Sequence, residues 1–137
     1  MKRVALLIGL VLLLAACGGG GNSDADQVKQ VWTTFFNAKT PIAQKVADLQ
    51  DGARFKSEIT NLATNPLASQ LSAKVSSVTL EGAAKAKVVY SIYLGNTAAL
   101  NNQVGYALKQ GGKWLVAYAG LCKLVTLAGQ APAACST

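Results

Sequence analysis

Residues 84–94, Ala84-Lys85-Ala86-Lys87-Val88-Val89-Tyr90-Ser91-Ile92-Tyr93-Leu94, decide the fold. Ala86, Val88, Tyr90, Ile92 and Leu94 alternate with Lys85, Lys87, Val89, Ser91 and Tyr93. Alternation of this kind sends the two sets to opposite faces of a β-strand, one apolar and one mixed. Working outward, residues 75–81 read as the preceding strand, and Glu81-Gly82 begins the turn between them. Downstream, residues 95–102 read as a polar loop, and residues 103–110 alternate again through Val104, Tyr106 and Leu108. Gly111-Gly112 supplies a two-residue hairpin connection. Residues 113–127, with Trp114, Val116 and Tyr118, are expected to form a long last strand bent by a bulge at Gly120. Residues 128–137 are rich in alanine, proline and glycine and predict an irregular tail.

Upstream of the strands the period changes. Val28, Val31, Trp32, Phe35 and Phe36 fall at helical spacing and make one wide apolar face. Ser23 or Asp24 can cap this helix. Thr40-Pro41 opens a second, with Thr40 as its cap and Ile42, Val46 and Leu49 on its buried side. Asp51-Gly52 marks a turn, Phe55, Ile59, Leu62 and Ala63 define a third helical face, and Asn65-Pro66 ends it. Helices first and strands after argue an α+β fold with the helices packed on one face of a curved four-stranded antiparallel sheet. By analogy of element order, a curved sheet over an aromatic-rich first helix is the cystatin-like cone of nuclear-transport-factor-2-like domains. Fold alone does not carry function.

The start of the chain carries an address. Met1-Lys2-Arg3 is a positive head, residues 4–14 are unbroken apolar, and Leu14-Ala15-Ala16-Cys17 reads as a lipobox. The apolar run is far shorter than the ~20 residues of a membrane-spanning helix and fits the core of an export signal. Residues 1–16 are expected to be removed, leaving Cys17 lipidated as the new N-terminus. Two acyl chains anchor durably where one is marginal. A plain secretion signal with a nearby cut, or an uncleaved anchor, is the alternative. Residues 17–23 then comprise Cys17 and a Gly-rich tether, Gly18 to Ser23, and residues 24–137 a single domain.

Loss of Lys2 and Arg3 with the leader leaves 11 basic residues of the 13 against 6 acidic ones, a net charge of +5. The ten remaining lysines are scattered, which reads as a solvated surface and gives no basic stripe for nucleic acid. Besides Cys17, the cysteines are Cys122 and Cys135, an even pair behind an export signal, where disulfides persist. A bridge would tie the tail to the last strand. Two free thiols are the alternative.

Several stretches resemble the mycobacterial low-molecular-weight secreted antigen family, in its secreted and lipoprotein members. They are Phe35-Phe36-Asn37, residues 40–45 (Thr-Pro-Ile-Ala-Gln-Lys), Leu49-Gln50-Asp51-Gly52 with Phe55, and residues 88–95 (Val-Val-Tyr-Ser-Ile-Tyr-Leu-Gly). Gly112-Lys113-Trp114, Leu121-Cys122 and Leu127-Ala128-Gly129 follow. The resemblance implies a compact cystatin-like domain displayed in, or released from, an actinobacterial envelope. It carries over no active site.

The chain has no histidine, which removes Ser–His and Cys–His nucleophile pairs and histidine zinc sites. No dense acidic loop exists for calcium and no phosphate-binding glycine motif is present, so no cofactor or metal is expected. Cone-shaped isomerases and dehydratases use a buried carboxylate with a tyrosine or second acid as oxyanion donor. Asp48, Asp51 and Glu58, with Tyr90, Tyr106 or Tyr118, are the candidates, but Asp48 and Glu58 read as exposed helix positions and Asp51 as a turn residue. Trp32, Phe35, Phe36, Tyr90, Tyr106, Trp114 and Tyr118 are candidate lining for an apolar cavity between helix and sheet, with plain core packing as the alternative.

The expected function is therefore that of a non-enzymatic envelope module, tethered to the membrane, that binds an apolar ligand, a wall component or an envelope protein. An isomerase-like enzyme and a purely structural surface protein are the alternatives. Made in a host that processes lipoproteins, the protein is expected to enter the detergent phase on phase separation, and Cys17→Ala to stay in the aqueous phase. A Cys17→Ala protein retained in detergent would refute the anchor.

Overall fold

A computed structural model describes residues 23–130 and 132–136. The leader, the lipobox with Cys17 and residues 18–22 of the tether lie outside the described residues.

The first helix, α1 (Asp24–Phe35), buries Val28, Val31, Trp32 and Phe35. These four positions are the apolar face that the spacing defines. Ser23 is the cap: its Oγ accepts from the Asp26 amide at 3.2 Å and donates to the Asp26 carboxylate at 2.8 Å. Helix α2 (Ile42–Asp48) starts behind Pro41 without a side-chain cap. The expected cap, Thr40, instead donates its hydroxyl to the Thr34 carbonyl at 2.7 Å, pinning the end of α1 to the start of α2. A 3₁₀ turn (Gly52–Phe55) leads into α3 (Lys56–Thr64). Asn65 then caps a second 3₁₀ turn (Pro66–Gln70) by accepting from the Leu67 amide at 2.9 Å.

Four strands follow, β1 (Leu71–Leu80), β2 (Lys85–Leu94), β3 (Thr97–Gln110) and β4 (Lys113–Val116), paired in chain order. All neighbours are antiparallel. The predicted polar loop at 95–102 is mostly strand: Leu94 pairs with Thr97 across a tight turn in which Gly95 takes φ +61°. The register explains both the misreading and the curvature. Between Val75 and Ser77, β1 carries one residue more than β2. Between Leu100 and Gln103, and again between Ala98 and Leu100, β3 carries one more than β2. Each extra residue is a bulge that bends its strand and raises local twist. Asn102 takes the left-handed conformation at one of them (φ +48°), and its amide donates to the Ser91 hydroxyl at 3.1 Å. Three bulges curl four strands into a half-barrel with helices packed on it, the α+β arrangement the element order implies.

The last long strand does not form. Strand β4 stops at Val116, and α4 (Tyr118–Leu127) takes over, burying Gly120, Leu121 and Val125. Leu121, Leu124, Val125 and Ala128 fall at helical spacing, and Ala119, Leu121, Lys123, Leu124 and Leu127 are good helix formers. The Cys122–Cys135 bridge is present, with Cα atoms 5.6 Å apart, and it ties the tail to a helix where a strand was expected.

Trp32 is fully buried at the centre of the molecule, its ring centroid 4.4 Å from Tyr90 and 5.3 Å from Phe36. It sits where β3 has Gly105. A Cβ added there would overlap Trp32, lying 2.7 Å from Cζ2 and 3.1 Å from Tyr90 Cε1. Gly120 serves the same ring from α4, where a Cβ would lie 3.2 Å from Trp32 Cη2. It is a close approach at the first turn of a helix, and no strand bulge occurs at this position. Gly105→Ala is expected to cost about 1–3 kcal/mol by overpacking and to lower the thermal midpoint by several degrees. Val104→Ala, one residue away and facing out, should stay within about 0.5 kcal/mol. Equal midpoints for the two variants would show that the close approach is not limiting.

Candidate functional site

The seven aromatic candidates do not line one cavity. Trp32, Phe36 and Tyr90 form the packed centre, with Phe35 edge-on to Phe36 at 4.9 Å. Burial raises the Tyr90 hydroxyl pKa. Tyr106 is turned to the outer face of the sheet and is 36 % exposed, with the Lys85 amine 4.5 Å from its ring centroid. Its place in the lining is corrected for a physical reason: the β2–β3 register pairs it with Lys87, whose side chain belongs to the outward set. Tyr118 stacks on Phe55 at 5.4 Å and is overlain by Arg54, 5.3 Å from its centroid, away from any groove.

Trp114 has a separate task. Its Nε1 donates to Asp24 Oδ1 at 2.9 Å, and the Lys109 amine meets the same oxygen at 3.1 Å. Lys109 and Trp114 are cross-strand partners beside the Gly111-Gly112 turn. This clasp fixes the start of α1 to the last hairpin. The hydrogen bond from Trp114, then that from Lys109, hold the Asp24 carboxyl below its ordinary value of 3.8.

Asp48 is corrected from an exposed helix position to a buried one, 4 % accessible. Gln44 Nε2 donates to its Oδ1 at 2.9 Å, and Lys113 Nζ pairs with the same oxygen at 3.1 Å. The charge sits on a polar groove of ≈430 Å³ that also includes Trp114 and Thr34. Asp51 occupies a left-handed position (φ +53°) before the first 3₁₀ turn. Glu58 is half-buried, and its Oε2 is shielded without a hydrogen-bond partner. Among the described residues, none of these three carboxylates hydrogen-bonds to Tyr90, Tyr106 or Tyr118. Among the described residues, no three or more Cys, Asp or Glu side chains come together in a group that could hold a metal ion.

Two further openings lie elsewhere, the first of mixed lining and the second apolar. One groove of ≈400 Å³ runs from Phe35, Phe36 and Thr40 past Lys45 to Ile59, Leu62, Leu121 and Leu124. A second, of ≈370 Å³, is walled by Leu67, Ile92, Leu94, Leu100, Leu124 and Leu127. The two share Leu62, Asn65, Ala68, Leu71 and Leu124, so they adjoin along one wall. Each is within the roughly 300–1,000 Å³ of small-molecule sites. Leu67 and Leu127 stand at the mouth of the second, 56 % and 58 % exposed. Of the predicted aromatics only Phe35 and Phe36 reach these grooves. Reading 113–127 as a strand concealed the rest. The signal that finds them is the helical spacing of Leu121, Leu124 and Ala128.

The fold and its grooves define the class: an α+β domain in which helices and a curled antiparallel sheet part at one end around an apolar opening. Across residues 22–132 the chain matches the family model described as low molecular weight antigen MTB12, C-terminal domain, and it belongs to that family. No curated protein and no solved structure gives a match.

The clasp around Asp24 carries a pH signature. A carboxyl whose folded pKa is depressed contributes stability above its unfolded value, lost as pH falls through the folded one. The difference in thermal midpoint between the native chain and Asp24→Asn is therefore expected to be constant above about pH 5 and to shrink in more acid solution. A difference independent of pH down to unfolding would mean that the ionised carboxyl contributes nothing.

Proposed function

We propose that the protein is a cell-envelope lipoprotein, cut before Cys17 and held by lipid on that cysteine, whose domain binds an apolar ligand without catalysing a reaction. The observation that carries the binding half is the pair of adjoining grooves, walled by leucines from α3, α4 and the sheet. A leucine exposed at such a mouth is ordinary alone, but contiguous apolar surface marks interaction sites. The anchoring half rests on the order of positive head, short apolar run and lipobox in residues 1–17. Residues 17–23, fully extended, reach at most about 25 Å, so a domain so tethered works close to the membrane surface. Family membership supports an exported, antigen-like protein.

Ala68 lies in the second 3₁₀ turn, on the wall common to both grooves. Ala68→Trp fills that space from a partly exposed position. It is expected to weaken binding of a pyrene-labelled alkanol at least about tenfold, or ~1.4 kcal/mol, while the thermal midpoint shifts by only a few degrees. Unchanged probe affinity would sink the groove as the binding site.

A further inference from the structure

The first groove has an electrical asymmetry. Among the described residues, Lys45 is the only charged residue on the wall of either groove, and no aspartate or glutamate joins it. It is half-buried, and burial lowers its pKa. Three other lysines have a carboxylate partner, Lys109 with Asp24, Lys113 with Asp48 and Lys85 with Glu81, and what sets Lys45 apart is its place on a groove wall. Among the described residues, the Lys45 amine has no hydrogen-bond or ion-pair partner. Two hydroxyls on the same wall spend their protons locally, Thr40 on the Thr34 carbonyl and Ser69 on the Pro66 carbonyl. The amine is not among the buried unpartnered atoms, so water still reaches it, but a partly desolvated cation gains when an anion completes it.

We infer that the two grooves together take an anionic single-chain amphiphile, its acid group on Lys45 and its hydrocarbon chain lying across Leu62, Leu71 and Leu124 toward Leu127. This rests on the ligand-binding reading above and adds the chemistry of the occupant. A chain laid this way covers the apolar wall that the grooves share and ends at the exposed leucine of their far mouth. The acid supplies the acceptor that Lys45 lacks. A neutral chain leaves the amine without a counter-charge, and a cationic chain adds repulsion.

Displacement of the pyrene-labelled alkanol from the delipidated full chain tests this, with palmitate, lysophosphatidylglycerol, hexadecanol and hexadecyltrimethylammonium as competitors. At least one of the two anions should displace it about tenfold better than hexadecanol, the scale of one charge-assisted hydrogen bond, and the cation should be weakest. The stronger anion identifies the source, free fatty acid or lysolipid. Lys45→Met should bring that anion to parity with hexadecanol, and Lys45→Arg should keep the preference. Equal displacement by anion, alcohol and cation would overturn the headgroup assignment while leaving an apolar site in place. Failure of probe and every competitor to bind would overturn both.

Discussion

The structure depends on one ring in one space: the indole of Trp32 against the backbone of Gly105. Burying an aromatic side chain removes about 150–250 Å² from water, worth some 4–6 kcal/mol at about 25 cal/mol per Å². Its Nε1 is buried without a hydrogen-bond partner, a cost of about 1–3 kcal/mol. The ring wins that comparison, but only because glycines on β3 and α4 let it close on the surrounding backbone. Tyr90 and Phe36 pack around it, so α1, β2, β3 and α4 all meet at this side chain.

A wide ring on the concave side requires a sheet that bends. The bulges in β1 and β3 provide the bend, and it has a consequence at the other end. Where the strands curl away, α3 and the turn after Asn65 do not follow, and α4 lies across the opening. The grooves result from that mismatch: their walls are Leu62 from α3, Leu71 and Ile92 from the sheet and Leu124 from α4. The packed aromatic centre and the open leucine end are thus two outcomes of one curvature.

Much of this was legible from residue spacing. The apolar face of α1, the period-two pattern of β2 and the glycine pair at 111–112, both with positive φ, carry their own local physics. Family membership was legible as scattered short matches, now seen over residues 22–132. The bulges were hidden, because a residue added to one strand is defined only by its partner's register. Tyr106 was misplaced for that reason, its outward side fixed by pairing with Lys87. The fourth helix was hidden because Trp114, Val116 and Tyr118 open the segment at strand spacing, and the helical spacing of Leu121, Leu124 and Ala128 begins only after the switch at Ala117. Asp48 illustrates a third limit. A carboxylate two residues before a turn looks exposed until Lys113, 65 positions on, arrives to pair with it.

The fourth helix is held by more than its own contacts. Cys122 on α4 is bridged to Cys135, 13 residues on, and Arg54 donates from Nη2 to the Ala134 carbonyl at 2.9 Å while lying over the Phe55 and Tyr118 rings. Closing a loop of this size is worth roughly 3 kcal/mol in the chain-entropy account. The clamp sits on the same helix that presents Leu121, Leu124 and Leu127 to the grooves, and it ties that helix through the tail to the first 3₁₀ turn. Disulfides persist in oxidising compartments and are rare in the cytosol. On the proposed export route this tie would close only after the chain leaves the cytosol. There the tether would keep that wall close to a membrane, the richest source of acyl chains.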